Sequence, residues 1–270
     1  MEQLASLDNV KVWLEDANST TNDALITRLI QEASRFILNY IQRPTLFKKV
    51  FTEVKDGLGN NAMMLQNYPV TSISELIVGS DTIPASASVP SQSPGYVLAP
   101  WDGFPPGSPQ SVQLAGYTFW PGMGNIKCTY TAGFFVTDES ATVDATTLAV
   151  TVQAPNGPWG RDDGVTLANG TALTKVDKNP AAMQYTADSG VYTFNVAQAS
   201  AAVLISYSYI PSDIEQACID LIAEKFRYKK RIGQQSVSAA GQITTSFSLK
   251  SMPENTREIL DRYKRSFYQC

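Results

Sequence analysis

Asp162 and Asp163 stand side by side, with Gly160-Arg161 before them and Gly164 after. Paired carboxylates can divide general-acid and general-base work, and this is the one reactive grouping a chain of this composition offers. Adjacent acids bracketed by glycine and arginine read better as a solvated turn. There is no histidine in the 270 residues. That removes Ser-His-Asp and Cys-His nucleophile pairs, His-ligated zinc and histidine base chemistry together. The three cysteines, Cys128, Cys218 and Cys270, match no metal-ligand spacing, and an odd number argues against a disulfide framework. Cys128 falls in a strand pattern and Cys218 on the apolar face of a helix, so both read as small buried hydrophobes. Cys270 reads as a free thiol. The expectation is a protein that is not an enzyme, with no catalytic residue, no metal and no cofactor.

Charge says more when it is divided along the chain. Residues 1–135 hold 8 basic and 11 acidic side chains, residues 136–210 hold 3 and 7, and residues 211–270 hold 10 and 7. Only the last stretch is basic, so an acidic partner should meet that end. Its densest part is Lys225, Arg227, Lys229, Lys230 and Arg231, followed by Gly233. Cations in a last helical turn are favoured by the helix dipole, and glycine suits the cap. Five cations in seven residues exceed what capping needs, so this run is also a candidate contact patch. No stretch reaches eighteen apolar residues and the first residues lack a basic, apolar leader, so neither membrane span nor secretory signal is expected.

The elements that must carry these residues are legible in the pattern. A short helix is predicted over 8–15, with Ser6 as cap. A long one follows over 22–42, its apolar stripe formed by Leu25, Ile26, Leu29, Ile30, Ala33, Phe36, Ile37, Tyr40 and Ile41. Thr20 and Asp23 form a weak capping box, and Pro44 ends the helix. Strands are predicted over 47–56, 73–78 and 125–131, with 62–66 returning antiparallel to the first. The Pro-rich stretch 84–109 reads as a long loop carrying one short strand at 96–98. Trp101, Phe104, Tyr117, Phe119 and Trp120 crowd a Pro/Gly-rich surface and read mainly as small-core filler.

After Tyr130-Thr-Ala-Gly133 the helix expected next is delayed until Pro211. The intervening 136–210 is Thr-, Val-, Ala- and Gly-rich, with strands predicted over 148–153, 164–167, 191–195 and 203–209, which suggests a small inserted antiparallel sandwich. Then Ser212 and Glu215 make a capping box for a helix lined by Ile214, Ala217, Cys218, Leu221, Ile222 and Phe226. The segment 234–250 is polar and, before Lys250, uncharged. Ile243, Thr245, Phe247 and Leu249 alternate within it, an exposed strand or hairpin arm of the kind that pairs with a neighbouring chain. A last helix is predicted from Pro253 to about Phe267.

This layout resembles the head–tail connector (adaptor) family of tailed bacteriophages. The likeness rests on Leu7-Asp-Asn-Val-Lys11, the helix to Tyr40, Tyr68-Pro-Val-Thr-Ser-Ile73, Asn125–Gly133, Pro211–Ala217, Arg231-Ile-Gly233, the 241–249 arm, Met252-Pro253 and Leu260–Tyr263. The inserted stretch is similar to a β-module of other phage structural proteins. The resemblance implies an α+β fold: a helical connector domain with a small antiparallel β region over 1–135 and 211–270, plus an inserted all-β, sandwich-like domain over 136–210.

It further implies a virion protein at the head–tail junction, assembled in the host bacterial cytoplasm. It would form a ring of twelve copies below the portal, extend the DNA channel, help retain DNA, and meet tail or neck proteins, with double-stranded DNA passing through. Portal docking is then expected at Arg262, Lys264, Arg265, Phe267 and Tyr268. The inter-subunit or channel arm is expected at Gln242, Ile243, Thr245, Phe247 and Leu249. The alternative is an adhesion module acting through the inserted domain.

Overall fold

A computed structural model describes residues 2–86, 93–100, 108–228, 236–239, 243–246 and 252–265. The chain divides into two compact units, Arg43–Ile210 with Tyr263–Cys270, and Met1–Gln42 with Pro211–Arg262.

The larger unit is built of sheets that are antiparallel except where Thr174–Lys175 runs parallel to Gln184–Asp188. Its first part has strands β1 (Lys49–Gly57), β2 (Ala62–Met64), β3 (Val70–Val78), β4 (Asp81–Thr82), β5 (Gly95–Ala99), β6 (Ser111–Ala115) and β7 (Gly122–Ala132). They form two sheets, in the orders β1-β7-β3-β4 and β2-β6-β5. The inward faces share one core, in which Leu76, Ile126, Cys128 and Tyr130 meet Met63, Val112, Leu114 and Phe119. The β region is thus larger than the small one expected. β2 does not return beside β1 but pairs with β6. Its preceding turn is drawn away because Phe119 bonds the backbone of both Gly59 and Asn60, at 2.7 and 2.8 Å.

The second part adds β8 (Phe135–Thr142), β9 (Ala149–Thr151), β10 (Trp159–Leu167), β11 (Thr174–Lys175), β12 (Gln184–Asp188), β13 (Val191–Phe194) and β14 (Ala202–Tyr209). Their orders are β10-β14-β8 and β11-β12-β13-β9. Three of these strands, β8, β11 and β12, were absent from the sequence expectation. Asp162 and Asp163 lie in strand β10 and not in a turn. The register shifts between Trp159 and Arg161 and again between Asp162 and Gly164. The glycine that suggested a turn marks a β-bulge. The two parts of this unit touch closely. Arg161 Nη2 donates to Lys48 O at 2.8 Å, Lys48 N donates to Ser208 Oγ at 3.0 Å, and Phe134 packs edge-on against Tyr209 with ring centroids 6.0 Å apart.

The smaller unit is helical. α1 (Leu7–Trp13) is capped by Ser6, whose Oγ accepts the Asn9 N–H at 3.1 Å. α2 (Asp23–Ile41) buries Ile26, Leu29, Ile30, Ala33, Ile37 and Ile41, one face at helical spacing, and ends on Gln42 in the left-handed region. Its N-cap is Asn22, with no side-chain cap bond. The Thr20–Asp23 box does not form, because the Asp23 carboxylate pairs with Lys11 at 2.9 Å. α3 (Ser212–Tyr228) buries Ile214, Ala217, Cys218, Leu221 and Ile222 and packs on α2, with Cys218 Sγ 4.0 Å from Ser34 Oγ. α4 (Glu254–Asp261) stops short of the expected Phe267. β15 (Ser236–Ala239) and β16 (Ile243–Ser246) form an antiparallel hairpin, with Val237 opposite Thr245, and join no other sheet among the described residues. No helix among the described residues is long and apolar enough to cross a membrane.

Candidate functional site

Each carboxylate of the Asp162–Asp163 pair is already matched. Asp162 accepts from the Tyr185 hydroxyl at 2.9 Å and lies 3.5 Å from Lys175 Nζ. Asp163 accepts from Arg161 Nε at 2.9 Å and from the Ser208 hydroxyl. Both side chains are buried, so these bonds tie β10 to β12 and β14 and leave no free base facing a cleft. Burial also pushes the thiols of Cys128 and Cys218 up to about 12, which makes them inert at neutral pH. Among the described residues no group of three His, Cys, Asp or Glu is placed to hold a metal.

Buried tyrosines set the pH behaviour of the β-rich unit. Burial, reinforced by a carboxylate, raises Tyr130 beside Glu53, Tyr185 beside Asp162 and Tyr207 beside Glu139. A group whose folded pKa lies above its unfolded value stabilises fully below the unfolded value and ceases to as pH rises through the folded one. The unfolded value is near ~10. Urea titrations at increasing pH above that point should show a progressive loss of stability, with little change between pH 7 and 9.

The candidate contact residues fall in three places. Lys225 donates to Glu32 at 2.7 Å and lies 6.0 Å from the Phe36 ring centre, so one cation of the basic run is used within its own helical unit. Arg227 is exposed and lines a recess of ≈ 330 Å³ with Trp13, Leu14, Glu15 and Phe226. Lys229, Lys230 and Arg231 lie outside the described residues. In the arm, Ile243 and Thr245 sit on β16, while Gln242, Phe247 and Leu249 lie outside the described residues.

In the tail, Arg262 and Lys264 are exposed. Tyr263 turns in against Phe134, with ring centroids 5.8 Å apart, the Lys264 carbonyl accepts from the Tyr68 hydroxyl, and Arg265 donates to Gln66. Phe267 and Tyr268 lie outside the described residues.

Sequence reasoning missed two features. Arg43, 5% exposed, lies 3.9 Å over the Tyr68 ring. On the sheet, Val50 and Val54 of β1 are exposed at 60% and 63%; Leu58, Trp120 and Met123 are also exposed. The alternation of β1 was visible, but nothing local said which of its faces stays open.

The chain is a mixed α+β protein in which the Asp162–Asp163 pair is matched within the fold, the thiols of Cys128 and Cys218 are raised, and apolar and cationic side chains are exposed. The head completion protein family matches residues 3–100 and 164–266, well over half of the chain, and the chain belongs to that family. Its role is therefore structural, in the head–tail region of a phage particle. The unmatched stretch 101–163 overlaps the expected insertion only in part. A solved structure, the neck of an empty GTA particle computed with C6 symmetry, is similar at 11% identity, with 98% of this chain and 91% of that one covered and a TM-score of 0.32. At that score it bears on neither fold nor assembly. No curated protein matches the chain.

Proposed function

We propose that copies of this chain form a ring at the head–tail junction, twelve around the portal, that joins the DNA-filled head to the tail. Family membership over both ends of the chain is the observation that carries this reading. A head-to-tail ring needs two different, complementary faces on each subunit. The hairpin β15–β16, which joins no other sheet among the described residues, and the exposed Val50 and Val54 of β1 are candidates for them.

In this reading the exposed Arg262 and Lys264 contribute orientation at the portal rim more than affinity. The basic run from Lys225 faces protein, because DNA must slide through a connector and tight phosphate binding would retard it. Residues 136–210 act as an inserted domain that projects from the ring. Native mass measurement of the protein with and without the portal is expected to show a monomer or small oligomer alone and a closed ring on the portal. Absence of any ring under both conditions overturns the reading.

A further inference from the structure

β1 is an edge strand. It pairs with β7 from Lys49 to Gly57 on one side, and no described backbone group bonds it on the other. In an antiparallel strand every second peptide presents its N–H and C=O to that open edge. Exposed edges of this length are ordinarily blunted by charge, proline or a bulge. The other long edges here are blunted. β10 carries two register shifts, and β8 carries Asp138 and Glu139. β1 runs without a shift as far as Lys55. Its Glu53 and Lys55 pair on the inner side, at 3.4 Å, which leaves Val50, Thr52 and Val54 on the solvent face. Such an edge is a template for another strand.

The hairpin β15–β16 has the opposite problem. Its two four-residue strands pair with each other and with no other sheet among the described residues. A lone two-stranded hairpin is marginal in water and gains most by joining a third strand. Its sequence is uncharged over 236–246, with Val237, Ile243, Thr244 and Thr245 suited to strands, so it brings no repulsion to an edge that carries both signs near its ends, at Lys49 and Asp56.

We propose that the hairpin of one copy adds to the open edge of β1 in a second copy, with β16 alongside residues 50–54, so that each subunit extends its neighbour's sheet. The inference rests on the ring reading above and names its receptor strand. Main-chain bonds supply the joint.

The test uses the full chain with Cys270→Ser, since Cys128 and Cys218 are buried. One preparation carries Thr52→Cys and another Thr245→Cys, with Val50→Cys and Thr244→Cys as the pairs one register away. The two are mixed, assembled on the portal and oxidised. A disulfide-linked dimer containing one copy of each is expected from one of these pairings. In parallel, Val50→Lys with Val54→Lys, both at exposed positions, should leave circular dichroism unchanged and raise the concentration needed for assembly by about tenfold or more. Rings that form without any cross-link and tolerate the lysines overturn this inference while the ring reading stands. A chain carrying both Thr52→Cys and Thr245→Cys that links within itself while the mixed single variants do not link overturns it too, since the arm would then serve its own subunit. Failure of the wild-type chain to assemble at all overturns both.

Discussion

Replacing Lys55 by Met is expected to destabilise the β-rich unit by about 3–5 kcal/mol, the usual cost of stripping one partner from a buried ion pair. The Glu53 carboxylate sits on the inner side of β1 with its side chain only 5% exposed. One oxygen is well served, accepting from the Tyr130 hydroxyl and from Gln66 N at 3.1 Å. The other has no hydrogen bond, and its compensation is Lys55 Nζ at 3.4 Å. Without the ammonium, a bare carboxylate oxygen remains inside the core. The Lys55→Met/Glu53→Gln double variant removes the stranded charge and should recover much of the loss. Urea unfolding followed by fluorescence reads the effect, because Trp120 and Trp159 both lie in this unit. A single variant within about 1 kcal/mol of wild type would show that the pair is screened by penetrating water.

Gly133→Ala should be comparably harmful for a steric reason. Gly133 has φ +135, and a Cβ built on it would lie 2.5 Å from the Phe47 carbonyl oxygen and 2.6 Å from its carbon. Both are backbone atoms, fixed by their neighbours. Gly133 N donates to Pro69 O at 2.9 Å, and Phe134 N donates to Leu46 O at 2.8 Å. Relief would require moving three segments, so a loss of about 3 kcal/mol or more is expected. Gly164→Ala is the control. Its φ is +125, but a Cβ there meets nothing within 4 Å, so only conformational strain of about 1–2 kcal/mol remains. Equal losses in the two variants would assign the effect to φ alone and remove Phe47 from the account.

The parts of the fold legible in the sequence are those whose burial follows one period. The stripe from Ile26 to Ile41 predicted α2 to within a residue or two, and Ser212 with Ile214–Ile222 located the start and the buried face of α3. The apolar alternation of β7 and β14, and the hairpin arm, were read for the same reason. β8 was invisible because Thr137, Asp138, Glu139 and Ser140 show no alternation. It is a strand because β14 pairs with it. The final helix was read too long because Tyr263 falls at the right spacing after Leu260. Its ring is buried, but against Phe134, far off in sequence. The Asp162–Asp163 pair was misread because a bulge and a turn use the same glycine. The contact surfaces were half legible. The arm could be seen from its missing charge, whereas the open edge of β1 depends on which strands fail to arrive beside it.

The strands that begin and end the excursion between Gly133 and Pro211 lie next to each other, Phe135 opposite Ser208 and Val136 opposite Tyr207. The chain therefore leaves and re-enters through neighbouring threads of one sheet. Entry and exit on adjacent strands hold the two ends of the excursion a strand spacing apart, about 5 Å, so a peptide inserted at the β8–β9 turn should lengthen the excursion without changing the span its flanks must bridge.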